Sequence, residues 1–196
     1  MMLHTTILKE RSFLVYGLGL SGISVIKFFK KNGVNNFKVW DDRNKNLFKN
    51  FRTKDLKKTL KEVDFIILSP GISLTKKRFL KKFKKKIITD IDLFYLSQKN
   101  IKSIVVTGTN GKSTTCNLIA HLFKMNRLKY SLGGNIGVPI LNLKNFKNSY
   151  VIIEASSFQL SHSQFINPDI ALFLNFTNDH LDWHRSMENY LNAKFK

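Results

Sequence analysis

The sequence predicts an α/β protein, with a parallel-sheet unit at residues 1–98 and a second, incomplete α/β unit at 102–196. Three observations carry this. Short apolar runs alternate with helix-period segments along the chain, which is the pattern of βαβ units and a parallel sheet. Two of those runs stop at a glycine-rich loop that opens directly into a helical segment, at Gly17, Gly19 and Gly22 and again at Gly108 and Gly111. A hydrophobic content of 43% in 196 residues supports packed cores rather than disorder.

The first unit opens on a strand at 12–16, then the glycine loop and a helix running to about residue 31. A second strand at 36–40 ends at Asp41, Asp42 and Arg43. A third apolar run, 63–68, breaks at Ser69, Pro70, Gly71 and Ile72. A short strand at 87–88 and a helix at 90–96 complete the unit, and the polar stretch 97–102 is the expected boundary. The second unit restarts with a strand at 103–107, its loop, and a helix carrying Leu118, Ile119, Leu122, Phe123 and Met125. A strand at 130–132, a glycine-rich loop at 133–137, and strands at 150–153 and 170–174 follow. A last helix begins near Met187, and the sequence stops inside it without a capping signal, so a truncated chain is expected.

The second loop carries the most chemistry. Strand, Gly-Thr-Asn-Gly-Lys-Ser and helix, in that order, make a P-loop-type ATP-binding arrangement shortened at its start, because Val106 stands where the longer form has its first glycine. Backbone N–H groups and the positive end of the helix suit phosphate. Lys112 would reach the β/γ oxygens, and the Ser113 hydroxyl would sit on Mg2+. A hard cation needs further oxygen ligands, and Glu154 sits at the C-terminal end of a strand neighbouring the loop strand, where ligands bind in open α/β sheets. His180 and His184, at i and i+4, would share a helix face, a spacing that suits a metal, although two histidines this close are more often surface or satisfied core groups. Ser156, Ser157 and Gln159 are candidate positioning donors, although turn chemistry alone also accounts for them.

The first loop, Gly17-x-Gly19-x-x-Gly22, makes its unit Rossmann-like, with Asp41 where a ribose-binding acid would sit. Alone it reads as an NAD-dependent oxidoreductase. Beside a second, Lys-Ser phosphate loop it reads more economically as a grip on another diphosphate, such as that of a UDP-sugar. Close strand–helix packing by itself also selects glycine.

Composition narrows the partners. The net charge is +20, from 33 Lys and Arg against 13 Asp and Glu. The lysines are spread along the whole chain and come with many Asn, Ile and Phe, as in a lysine-biased proteome. No base-reading motif accompanies them, so no nucleic-acid partner is expected, although a basic surface attracts anionic ligands such as nucleotides. The single cysteine, Cys116, excludes a disulfide framework and a cysteine zinc site, and reads as a buried structural thiol. With no leader pattern and no apolar run of membrane length, the expectation is a cytoplasmic protein without a membrane partner, and a monomer is expected besides.

Taken together, these segments resemble the Mur ligases of peptidoglycan synthesis, and within them the D-glutamate-adding branch. The matching runs are the glycine loop at 17–22, Ser-Pro-Gly-Ile at 69–72 and Gly-Thr-Asn-Gly-Lys-Ser-Thr at 108–114. Further on come Gly-Asn-Ile-Gly at 134–137, Glu-Ala-Ser-Ser-Phe-Gln-Leu at 154–160 and Asp-His-Leu-Asp-Trp-His at 179–184, then Met-Glu-Asn-Tyr at 187–190 and Ala-Lys at 193–194. The resemblance implies that Leu20, Ser21, Asp42 and Arg43 hold the UDP part of a substrate and Asn135 its muramoyl-alanine end. Asp42 departs from the hydroxyl residue commoner there. It implies that Gly108, Thr109, Asn110, Gly111, Lys112, Ser113 and Thr114 form the ATP-phosphate loop. Ser113 and Glu154 match the ligands of a first Mg2+. His180 matches a ligand of a second, and Lys194 falls where the family carries a carbamylated lysine serving that same ion.

The implied reaction is ATP-dependent amide formation between UDP-N-acetylmuramoyl-L-alanine and D-glutamate through an acyl phosphate, with Lys112, His180 and Lys194 in the catalytic set. Residues for adenine and D-glutamate are expected outside this chain. Another Mur-type or folylpolyglutamate-type ligase, an NAD(P)-dependent oxidoreductase and a nucleotide-binding module without catalysis remain as alternatives.

Overall fold

A computed structural model of the chain describes residues 3–98, 101–144 and 149–195; residues 99 and 100 of the expected boundary, and residue 196, lie outside them. The chain divides into two compact units, Met1–Lys99 and Asn100–Lys196.

In the first unit a helix not expected from the sequence, α1 (Leu3–Lys9), precedes β1 (Phe13–Tyr16). Then come α2 (Leu20–Asn32), β2 (Phe37–Trp40), α3 (Leu56–Glu62), β3 (Phe65–Leu68), β4 (Ile87–Ile88) and α4 (Asp90–Ser97). The strands form one parallel sheet in the order β2-β1-β3-β4. All four residues of β1 are buried, as a central parallel strand covered on both faces requires. The lysine-rich run Arg78–Lys86 forms a 3-10 helix that plants Leu80 in the core. Leu80 packs there with Leu60, Val63, Ile66 and Ile87. Lys86 Nζ donates to the carbonyls of Lys61 (2.6 Å) and Val63 (2.7 Å), satisfying orphan acceptors at the end of α3.

The second unit runs β5 (Lys102–Thr107), α5 (Lys112–Met125), β6 (Tyr130–Gly134), β7 (Tyr150–Glu154), α6 (Ser157–His162), β8 (Ile170–Phe173), α7 (Leu181–His184) and α8 (Met187–Lys194). Its sheet is also parallel, in the order β6-β7-β5-β8. Ile104, Val106, Cys116, Ala120 and Ile152 form its core under α5. Cys116 is fully buried, and burial, then the charge of Glu154, raises its thiol to about 11.

Two expectations are corrected. Gly133 and Gly134 belong to β6 rather than to a loop, because they continue its parallel ladder opposite Ile153 and Glu154. A Cβ on Gly134, whose φ is +109°, would collide with the Glu154 carbonyl, so the strand passes only as glycine. The predicted shared helix face of His180 and His184 does not form. His180 precedes α7 in the left-handed region (φ 53°), and only His184 lies in the helix.

Candidate functional site

In each sheet the strand that comes first in the chain, β1 or β5, has neighbours on both sides, so the crevice at its carboxyl end is a topological switch point. Both glycine loops leave from such a strand, β1 in the first unit and β5 in the second.

In the first unit the loop turns tightly: a Cβ on Gly22 would strike the Gly17 carbonyl, which fixes the close approach of α2 to β1. Asp41 serves the backbone. Its Oδ2 accepts from Leu18 N–H (2.7 Å), and its Oδ1 accepts from the N–H groups of Arg43 (2.8 Å) and Asn44 (2.7 Å). Burial works to raise this carboxyl, and the three backbone donors outweigh it and lower it. Neither oxygen is left without a partner, a poor preparation for gripping a ribose diol. Asp42 points the other way. Its carboxylate accepts from Tyr16 OH (3.1 Å), Trp40 Nε1 (3.0 Å) and Lys77 Nζ (2.9 Å). Leu20, at the first turn of α2, is 82% exposed, Ser21 beside it is half-buried and Arg43 is exposed.

In the second unit Gly111 is the N-cap of α5, and the loop is tied to the segment after β8. Thr109 N–H donates to the Asn175 carbonyl (3.1 Å), Asn110 N–H to Asn175 Oδ1 (2.9 Å), and Asn175 Nδ2 back to the Asn110 carbonyl (3.1 Å). Thr109 Oγ1 also meets Tyr190 OH at 3.1 Å. Sequence reasoning assigns no role to Asn175 or Tyr190; the only signal for Asn175 is its place at a strand end on the loop's side of the sheet.

Two side-chain groups converge on this loop. Lys112 and Lys194 both donate to the Gly108 carbonyl, at 2.9 and 2.8 Å, and Lys112 also reaches the Thr109 carbonyl at 2.7 Å. Lys194 is buried, with its ammonium 4.7 Å from the centre of the Tyr190 ring. Burial, then the charge of Lys112, lowers Lys194 to about 8. The second group is Glu154, 2% exposed. Its Oε2 accepts from Ser113 Oγ (2.6 Å) and its Oε1 from Asn135 Nδ2 (2.8 Å), with no Lys or Arg paired to it among the described residues. Hard oxygens around an uncompensated buried carboxylate fit a divalent cation such as Mg2+.

The remaining predicted residues lie apart from that cluster. Ser156 and Gln159 form a capping box at the start of α6, each side chain bonded to the other's backbone N–H. His180 Nε2 lies 3.3 Å from Asp179 Oδ2, and its ring rests on Phe158 at 4.7 Å. His184 is buried on Ser157 Oγ (2.9 Å), committed to packing rather than to a shared face with His180. Gly108 is buried, whereas Asn110, Gly111 and Thr114 are exposed at the loop's mouth.

Fold and site together define a tandem parallel α/β protein with a phosphate-type loop at the switch point of each sheet. A family model described as "Mur ligase MurD-like, N-terminal domain" matches residues 11–89, and one described as "Mur ligase middle domain" matches 106–196. The chain belongs to the Mur ligase family. A UDP-N-acetylmuramoylalanine–D-glutamate ligase of Rickettsia bellii is 42% identical over 97% of this chain and 44% of its own length. The same-named protein of Wolbachia pipientis is 41% identical over 96% of this chain and 39% of its own, and that of Buchnera aphidicola is 40% identical over 94% and 44%. The chain thus spans less than half the length of these curated relatives. A solved UDP-N-acetylmuramate:L-alanyl-γ-D-glutamyl-meso-diaminopimelate ligase from Neisseria meningitides aligns with a TM-score of 0.49 and 15% identity over 93% of this chain and 66% of its own, too distant a likeness to add to this.

Proposed function

We propose that the chain carries the UDP-substrate unit and the ATP-phosphate unit of a ligase that joins D-glutamate to UDP-N-acetylmuramoyl-L-alanine. The observation that carries the reading is the convergence of Lys112, Lys194, Ser113, Glu154 and Asn135 on one loop, in a chain 42% identical to a relative of that name.

In this reading the carboxylate of the UDP substrate attacks the γ-phosphorus of ATP in line. An O–P bond forms, the bond to ADP breaks, and the acyl phosphate results. The D-glutamate amine then forms the amide and expels phosphate. The loop's N–H groups and the start of α5 hold the phosphates, and Lys112 swings from the Gly108 and Thr109 carbonyls to the transferring group. Ser113 and Glu154 would hold one Mg2+, which neutralises phosphate charge when bound. His180 with Lys194 would hold a second, once the Lys194 amine has added CO2 and released a proton to become a carbamate. With its ammonium lowered to about 8, Lys194 has far more neutral amine at neutral pH than a surface lysine. In [13C]bicarbonate the protein is expected to show a carbamate carbon signal that Lys194→Arg removes; a spectrum unchanged by that variant counts against the modification.

The two units also define the test of substrate class. Titrated side by side, the protein is expected to bind UDP-N-acetylmuramoyl-L-alanine and not NADH. Tight NADH binding without a UDP response reverses the reading and makes Gly17, Gly19, Gly22 and Asp41 a dinucleotide site.

A further inference from the structure

The mouth of the first unit is closed by a ring of contacts that the glycine fingerprint does not require. Ser69 Oγ donates to the Gly17 carbonyl at 2.9 Å, so the segment after β3 packs directly on the glycine loop. Leu18 N–H, on the same loop, donates to Asp41. Asp42, the next residue, takes Lys77 Nζ at 2.9 Å, and Lys77 lies on the segment that began at Ser69. Inside that segment Ile72 N–H donates to the Ser69 carbonyl (3.0 Å) and Lys77 N–H to the Ser73 carbonyl (2.9 Å), so the tether is short and folded. The ring therefore runs from glycine loop to acidic turn to Lys77 and back to the glycine loop. Tyr16 OH and Trp40 Nε1 brace it through Asp42, and the Arg52 guanidinium covers the Trp40 ring at 4.2 Å.

We infer that Asp42 and Lys77 are positioning residues, an ion-paired strap that holds the turn at 41–44 and the loop at 69–77 in the geometry that receives the nucleotide end of the substrate. The assignment rests on the reading of the first unit as a UDP-substrate site. It differs from the direct contact that the resemblance implies for Asp42, because both carboxylate oxygens already have protein donors. At 38% and 39% side-chain exposure the two partners are open enough for solvent to loosen the pair. The strap's effect on binding is therefore moderate and cooperative.

The test uses the whole chain in five forms: parent, Lys77→Met, Asp42→Asn, the double variant and Lys77→Arg. Amide hydrogen exchange at Ile72, Lys77, Arg43 and Asn44 is followed without ligand, and UDP affinity is measured by titration. Each single variant is expected to speed exchange in both loops and to weaken UDP about fivefold. The double variant is expected to be no worse than the singles. Lys77→Arg is expected to restore affinity, which a loss of folding would not allow. Unchanged exchange in Lys77→Met, effects that add in the double variant, or unchanged UDP affinity against a binding parent each overturns the strap. A parent that does not bind UDP overturns the substrate-site reading itself, and the strap's role with it.

Discussion

At Glu154 a carboxylate stands at 2% exposure between a serine hydroxyl and a carboxamide. Burial of that kind is costly without a cation, and an isosteric neutral side chain removes that desolvation cost while filling the same space. Glu154→Gln is therefore expected to leave the melting temperature of the second unit unchanged or higher while abolishing the Mg2+ dependence of ATP binding, read by titration with and without the metal. Nucleotide affinity that stays Mg2+-dependent in the variant would remove Glu154 from the ligand set. His184 makes an acid-side prediction. Burial, then the neighbouring His180, Lys194 and His162, lower it from 6.5 to about 4. The unfolded chain accepts a proton near pH 6.5 that the folded chain refuses until about pH 4. Stability from the neutral imidazole is thus complete above 6.5 and lost as pH falls toward 4, by roughly 3 kcal/mol at most. Parent and His184→Gln should diverge in the slope of melting temperature over that window. Equal slopes would mean that the imidazole is not held neutral by its surroundings.

Among the elements, those with an unbroken apolar run or a glycine loop are legible from residue order alone: β1, β3, β5, β7 and the helices that follow the two loops. Residue order also places β2, β4, β8, α4 and the last helix, and the elements that escape do so for physical reasons. The end of β6 reads as a loop because its last two residues are glycines, and only the crowding from β7 shows why glycine belongs in that strand. α6 is announced by its Ser156–Gln159 capping box, a local signal, yet it reads as turn chemistry because six residues are too few for periodicity. The left-handed backbone at His180 does not follow from spacing, since i and i+4 imply a common face only if the helix has already begun. In the candidate site, the loop and Glu154 are legible from motif and strand end. The grip of two lysines on the Gly108 carbonyl is not, because Lys194 is brought there only by tertiary packing. β8 carries its own prediction. Among the described residues it pairs with β5 on one side only, and Ile170 and Phe173 remain 48% and 38% exposed. An open edge of that kind templates association. Ile170→Lys is expected to shift concentration-dependent sedimentation toward the monomer with little change in melting temperature. A parent that is already monomeric at high concentration would contradict this.

For the molecule as a whole, two parallel sheets carry similar switch-point loops in one strongly basic chain, and in the proposed reading both loops take anionic ligands. The net charge of +20 makes capture of both ligands depend on salt, with association rates falling several-fold between about 50 and 300 mM ionic strength. The fully buried Cys116 has a practical consequence. It is the chain's single sulfhydryl, packed beneath α5 in the core of the second unit and absent from the first. A disulfide reagent can reach it only when that unit opens, so the rate of labelling clocks the opening of one half of the molecule while the other half stays silent. A nucleotide seated on the loop would slow that clock in proportion to its occupancy, whereas a ligand confined to the first unit would leave it running at the same pace.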